Sequence, residues 1–149
     1  MKKMSVFVFC MLLGSFSYGG EFTYDFSVSG GQSGGDSYTE AQLGLNYFAQ
    51  KWLAWRNALF ARFPSIGSSS YGLDSSGRSY WTVDFSERSF LVSFLGSGIR
   101  FSSLGENHVF LEGGFTLHLA SLTLGIGAKG FLGTDDVQYF LVLAGGGKF

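Results

Sequence analysis

The sequence predicts an all-β chain, an eight-stranded antiparallel transmembrane β-barrel, and three observations carry that expectation. Segments of about ten residues alternate apolar with polar or small side chains, the pattern a barrel needs when lipid lies outside. The composition suits strands, with 17 Phe, 7 Tyr and 3 Trp against a single Pro. Hydrophobic residues reach 46% and charged residues only 14%, yet no run approaches the roughly 18 uninterrupted apolar residues of a membrane-spanning helix. A length of 149 residues suits one domain.

The first segment reads as an export signal. Lys2 and Lys3 precede an apolar run from Met4 to Leu13 and then small residues. Ser17 and Gly19, or Ser15 and Ser17, offer cleavage sites, so residues 1–19 are expected to be removed and residues 20–149 to form the barrel. Cys10, the one cysteine, lies inside the apolar run behind Phe9, where a lipid-anchored chain wants a small residue. The mature chain then has no thiol for a disulfide or a metal cluster. Losing Lys2 and Lys3 takes the bases from 10 to 8 against 11 acids, a formal net charge of −3. No basic patch points to nucleic acid.

The strands follow in order. Phe22, Tyr24, Phe26 and Val28 alternate with Glu21, Thr23, Asp25, Ser27 and Ser29; Ala41, Leu43, Leu45 and Tyr47 alternate with Glu40, Gln42, Gly44 and Asn46. Between Trp52 and Phe63 the outward set is Leu53, Trp55, Leu59, Ala61 and Phe63, because the other parity would send Arg56 and Arg62 into lipid; Asn57 is then left outside. The fourth strand runs from about Ser79 to Ser86, with Trp81, Val83 and Phe85 outward and Asp84 inward. From Phe90 to Phe101 both parities are apolar, and Gly96 and Gly98 allow a bulge that would switch faces. Val109 to Leu119, Leu122 to Lys129 and Val137 to Ala144 complete the eight.

Links alternate in length. The stretches 30–37, 64–78, 102–107 and 133–136 are longer or more polar, and 50–51, 87–88 and 120–121 are tight. That alternation fits surface loops at one end and short turns at the other. The inward charges Asp25, Glu40, Arg56, Arg62, Asp84, Arg100, Glu112, Lys129 and Lys148 form the expected lumenal network, paired because buried lone charges are costly. A soluble, lipocalin-like ligand-binding barrel is the alternative, but it would leave these few charges as its whole exterior. Gly114, Gly125, Gly127, Ala144 and Gly146 leave one inner sector short of bulk, read as room for strand curvature.

The final residues, Tyr139-Phe-Leu-Val-Leu-Ala-Gly-Gly-Gly-Lys-Phe149, resemble the terminal strand of small outer-membrane barrels of the OmpA, OmpX and opacity-protein type. Tyr139, Leu141, Leu143 and Phe149 match the alternating apolar residues and closing aromatic that this family uses as its assembly signal, while Gly145 and Gly147 replace larger side chains. The resemblance implies the outer membrane of a Gram-negative bacterium, insertion by its assembly machinery, and contact with outer-membrane lipid and lipopolysaccharide, as a monomer.

Chemistry is sparse. Lipid A modification would need a nucleophile, base and acid near the outer leaflet; His118 adjoins the turn at 120–121, and His108 sits at the loop end without a His-x-Ser-Asn motif. Gly-Gly-Gly-Lys at 145–148 lacks phosphate-loop spacing, and Asp135 with Asp136 reads as a solvated loop pair. No catalytic residue, cofactor or metal ligand is expected. Eight strands enclose an interior that side chains just fill, so the expected role is structural or surface-interacting, with a narrow pore or a lipid A enzyme as alternatives.

Overall fold

The computed structural model describes residues 21–86, 89–105, 107–119 and 122–145. The chain forms β1 (Glu21–Ser33), β2 (Asp36–Gln50), β3 (Leu53–Pro64), β4 (Ser70–Ser86), β5 (Ser89–Ser102), β6 (Asn107–Leu119), β7 (Leu122–Phe131) and β8 (Val137–Gly145). Each strand pairs antiparallel with the next, and β1 pairs with β8, so the sheet closes as a barrel with no free edge. The expected export signal and the closing residues Lys148 and Phe149 lie outside the described residues, as do the turns at 87–88 and 120–121.

The register fixes the barrel's shape. Paired residues lead from Tyr71 through Ala61, Ala41, Val28, Leu141, Ile126, Phe115 and Ser93 to Trp81, so one circuit returns to β4 displaced by ten residues (81 − 71 = 10). With roughly 3.3 Å per residue and 4.8 Å between strands, that stagger tilts eight strands by about 40°. Ten residues on such a strand rise about 25 Å, the height of a lipid-facing apolar band. The outward residues make that band: Phe26, Leu43, Leu59, Leu95, Leu111, Ile126 and Leu141 all stand exposed on it. The interior holds Glu40, Arg56, Asp74, Glu112 and Lys129, each almost wholly buried. This is the reverse of a soluble barrel, and the lipocalin-like alternative is set aside because the side chains buried inside are charged and those exposed outside are oily.

Several boundaries differ from the sequence reading. The first link is far shorter than 30–37: strands continue to Ser33 and resume at Asp36, joined by Gly34 and Gly35 at φ 59° and 93°. Two positive φ values in a two-residue hairpin turn match the right-handed strand twist, and glycine adopts them without strain. The long link 64–78 is mostly strand, because β4 begins at Ser70 and leaves only 65–69 as loop. Its alternation is hidden in the sequence because Ser75, Gly77 and Ser79 take outward positions that elsewhere carry apolar side chains. The fifth strand keeps one parity throughout, with Leu91, Leu95, Ile99 and Phe101 outward. Gly96 and Gly98 make no bulge; the irregularities fall at Phe48/Gln50 and Asp84/Ser86, both at the turn end. Asn57 does face outward, where its Oδ1 accepts a hydrogen bond from Ser75 Oγ at 2.8 Å.

Because Leu43 sits in the middle of the apolar band, Leu43→Arg is expected to lower folding stability in lipid vesicles by about 2–4 kcal/mol. A urea titration of the reconstituted barrel measures this, and an unchanged midpoint would mean that β2 does not face hydrocarbon.

Candidate functional site in the charged lumen

The loop-side half of the interior is one continuous ion-pair network. Asp25 Oδ1 accepts from Arg56 Nη2 at 2.6 Å and Oδ2 from Arg56 Nε at 3.0 Å, a two-point pair that Asn46 Nδ2 extends at 2.8 Å. Arg56 also donates to Gln42 Oε1, and Gln42 Nε2 donates to Glu40 at 2.7 Å and Asp74 at 3.2 Å. Arg100 lies between those two carboxylates, donating to both oxygens of Glu40 and both of Asp74 at 2.7 to 2.8 Å. Lys129 Nζ donates to Asp74 Oδ2 at 2.7 Å and stands 3.8 Å from Glu112. Arg78 completes the far side with two 2.8 Å bonds to Glu112, which also accepts from Ser76. Toward the loops, Arg62 joins Glu40 at 2.8 Å to Asp136 at 3.0 Å.

The carboxylates Asp25, Glu40, Asp74, Glu112 and Asp136 thus meet the cations Arg56, Arg62, Arg78, Arg100 and Lys129, five against five. A neutral, hydrogen-bonded set is the arrangement that makes charge tolerable in a dry interior. Aromatic faces carry the cations further: Arg62 stacks 3.7 Å above the Tyr38 ring, Arg100 3.9 Å above Phe60, and Lys129 4.3 Å above Phe110. Glycine makes the room. A Cβ on Gly44 would stand 2.7 Å from Arg56 Nε and from Asp25 Oδ2, and one on Gly96 would stand 2.9 Å from the Arg78 side chain.

The turn-side half holds an aromatic cluster. Phe94, Phe140 and Val142 pack with Tyr80, and Phe48 lies 5.2 Å from Tyr80 ring to ring. Two members of the glycine sector expected to allow curvature lie against rings, since a side chain on Gly127 would collide with Phe140 and one on Gly114 would meet Phe94 at 3.0 Å; Gly125 lies against Thr116, and Gly146 is outside the described residues. His118 stacks on Phe90 at 4.3 Å and shares hydrogen bonds with Thr123 Oγ1 at 2.8 Å and Thr116 Oγ1 at 3.3 Å.

At the loop end the lumen opens into a cavity of about 290 Å³, lined by Tyr38, Arg62, His108, Phe131 and Asp136 beneath Ile66 and Leu104. The Tyr38 hydroxyl donates to Asp136 at 2.6 Å. His108 approaches the Phe131 ring edge-on.

Of the charges expected inside, Asp25, Glu40, Arg56, Arg62, Arg100, Glu112 and Lys129 come together here, and Lys148 lies outside the described residues. Asp84 does not join them: it sits exposed at the turn end, below the aromatic layer, and makes no ion pair among the described residues. Asp74, Arg78 and Asp136 were missed. Extending the inward parity of Tyr80 and Thr82 backwards reaches Arg78, Ser76 and Asp74, and extending that of Gln138 and Phe140 reaches Asp136, so Asp136 is a lumenal residue rather than half of a solvated pair. In the expected assembly signal, Tyr139, Leu141 and Leu143 alternate on the outward face of β8, and Phe149 is not described.

A designed protein from work on de novo transmembrane β-barrels superposes on this chain with a TM-score of 0.63 at 13% identity, covering 84% of this chain and 95% of that one. The fold is that of a transmembrane β-barrel. Two structures of Ail, the attachment invasion locus protein of Yersinia pestis, align with TM-scores of 0.45 and, in complex with the heparin analogue sucrose octasulfate, 0.44, each at 12% identity over 87% of this chain and 97% of Ail. No protein-family model matches the sequence, and no curated protein matches it.

Arg56→Met alone is expected to cost roughly 3–5 kcal/mol, since it strands the Asp25 carboxylate in a dry interior. The double substitution Asp25→Leu with Arg56→Met should cost less than that single change. Urea midpoints of Arg56→Met, Asp25→Leu and the double mutant decide it, and a double mutant as unstable as the two singles added together would show the pair to be uncoupled.

Proposed function

We propose that the chain is an integral outer-membrane protein of a Gram-negative bacterium, exported by its first 19 residues and inserted by that membrane's assembly machinery, with a sealed lumen and a structural or surface-contact role. The observation that carries the reading is the filling of the interior in two layers. A neutral ion-pair network closes the loop-side half, and Phe94, Phe140 and Val142 close the other. Water would have to break several charge-assisted hydrogen bonds and then displace packed rings to cross, which argues against a resting pore. Lipid and lipopolysaccharide are the natural surroundings of the apolar band.

Catalysis finds little support at His118. His118 has two threonines as hydrogen-bond partners and an aromatic ring against its face, a packed setting rather than a general base beside a carboxylate. The loop end supports contact instead. Ile66 and Leu104 are 72% and 60% exposed on its loops and overhang the cavity lined by Tyr38, Arg62 and Asp136. Apolar side chains above a polar recess suit a macromolecular surface better than they suit water.

In planar bilayers the refolded protein should produce no stepwise conductance, and regular open steps from the unmodified protein would end the sealed-lumen reading. For the surface role, Ile66→Ser with Leu104→Ser should abolish cell-surface binding while leaving heat-modifiable gel migration intact. Deleting 65–76 would not serve, because it removes Asp74 and Ser76 from the lumen. Surface binding undiminished by the double substitution would remove the loop end from consideration.

A further inference from the structure

One wall of the barrel breaks the rule that its outside is apolar. Between Tyr71 and Trp81, which bound the band on β4, the outward positions are Leu73, Ser75, Gly77 and Ser79. Ser75 is paired in register with Asn57 on β3, and Gly77 with Ser97 on β5. Since Tyr71 and Trp81 lie about 25 Å apart along the barrel axis, Ser75, Gly77 and their partners Asn57 and Ser97 fall in its middle third, where neither headgroups nor water reach, while Ser79 lies nearer the Trp81 border. The patch is confined to β3, β4 and β5. On the opposite wall the same depth carries Phe26, Ile126 and Leu141, all exposed.

The hydrogen-bonding capacity of this patch is only partly used. Ser75 Oγ donates to Asn57 Oδ1, which leaves the two donors of Asn57 Nδ2 without a partner among the described residues, and the hydroxyls of Ser79 and Ser97 have none there either. Hydrocarbon cannot supply what is missing, and unmet polar groups at that depth are costly. The surface is also dented: a Cβ added at Gly77 would meet nothing within 4 Å, while Trp55 and Leu95 stand exposed to either side.

We propose that this wall is the interface for a second copy of the same chain, replacing the monomer that the sequence suggested. The patch is self-complementary, which a twofold contact requires because each surface meets its own copy. Asn57 brings unused donors, and Ser79 and Ser97 bring hydroxyls that both donate and accept. Small residues let two backbones approach closely enough for such bonds, the same device that joins polar, glycine-containing faces of membrane helices. Trp55 and Leu95 then pack at the border of the contact and exclude lipid. The inference rests on the membrane reading of the barrel, and its test separates the two.

The experiment uses the exported chain in its membrane, which carries no native thiol once residues 1–19, with Cys10, are removed. Ser97→Cys on the patch and Ile126→Cys on the opposite wall are each oxidised with copper phenanthroline and run without reductant, with heat-modifiable migration as the readout of a folded barrel. A disulfide-linked dimer is expected from Ser97→Cys and not from Ile126→Cys. Adding Asn57→Leu should lower the dimer yield about tenfold with migration unchanged, the effect of losing one or two interfacial hydrogen bonds. Equal yields from both walls, no dimer from the patch, or an adduct whose mass is not twice the chain would overturn the proposal. Loss of heat-modifiable migration in the parent chain would instead overturn the membrane reading itself. If Ser97→Cys alone fails to fold, Ser79→Cys reads the same wall with the same outcomes.

Discussion

Glu40 and Asp74 hold Arg100 between them with four hydrogen bonds, and the rest of the interior is arranged around that clamp. Two carboxylates cannot share a dry site unless cations neutralise both, so Arg62 is drawn to Glu40 from the loop side and Lys129 to Asp74 from β7. Lys129 then needs Glu112 within reach, and Glu112 is satisfied in turn by the paired bonds from Arg78. The chain of necessity runs through β2, β3, β4, β5, β6 and β7, so strands far apart in sequence are tied across the barrel as well as along its hydrogen-bonded seams. Such ties fix register: a slip of one residue would turn each of these charges into lipid and bring an apolar side chain inside.

The glycines follow from the same demand. A stagger of ten over eight strands leaves limited interior space, and long cationic side chains lying flat across it need neighbours without a Cβ. Gly44 lies beneath the Arg56–Asp25 pair, Gly96 beneath Arg78, and Gly98 beneath the Phe110 ring. In the turn-side half, Gly114 and Gly127 yield the same space to Phe94 and Phe140. What looks like missing bulk in the sequence is thus the complement of large side chains on neighbouring strands, and the interior is filled in both halves.

That complementarity explains what the sequence could and could not reveal. Alternation in β1, β6, β7 and β8 is legible because lipid demands apolar side chains at every second position, a local signal that needs no partner. In β3 the parity follows from Arg56 and Arg62 alone, since a guanidinium in hydrocarbon is so unfavourable that two of them outweigh one misplaced asparagine. In β4 the signal fails between Ser70 and Ser79 because small and polar residues occupy both faces, and Asp74 and Arg78 disappear into an apparent loop. Asp136 is lost for another reason: its carboxylate is set by Arg62 and Tyr38, residues 74 and 98 positions away, and nothing adjacent in sequence announces them. Asp84 errs in the opposite direction, having the right parity at the wrong height.

Two asparagines on neighbouring strands measure how strongly orientation governs the energetics. Asn46 faces inward and donates to Asp25, so its amide extends a charge-assisted pair in a site that excludes water. Asn57 is the register partner of Leu45, the residue next to Asn46, and faces the other way, with only Ser75 among the described residues to meet its carbonyl. One carboxamide is built into the core by its surroundings, and the other is presented to the membrane with donors to spare. A lipid-facing wall has no reason to retain Asn57, Ser75, Gly77, Ser79 and Ser97 together if hydrocarbon were its permanent neighbour, since apolar residues at those positions would suit the band better. The polarity outside therefore asks the same question as the polarity inside. Within the barrel the answer is supplied by other strands of the same chain, and on the outer wall the matching groups have to come from another molecule.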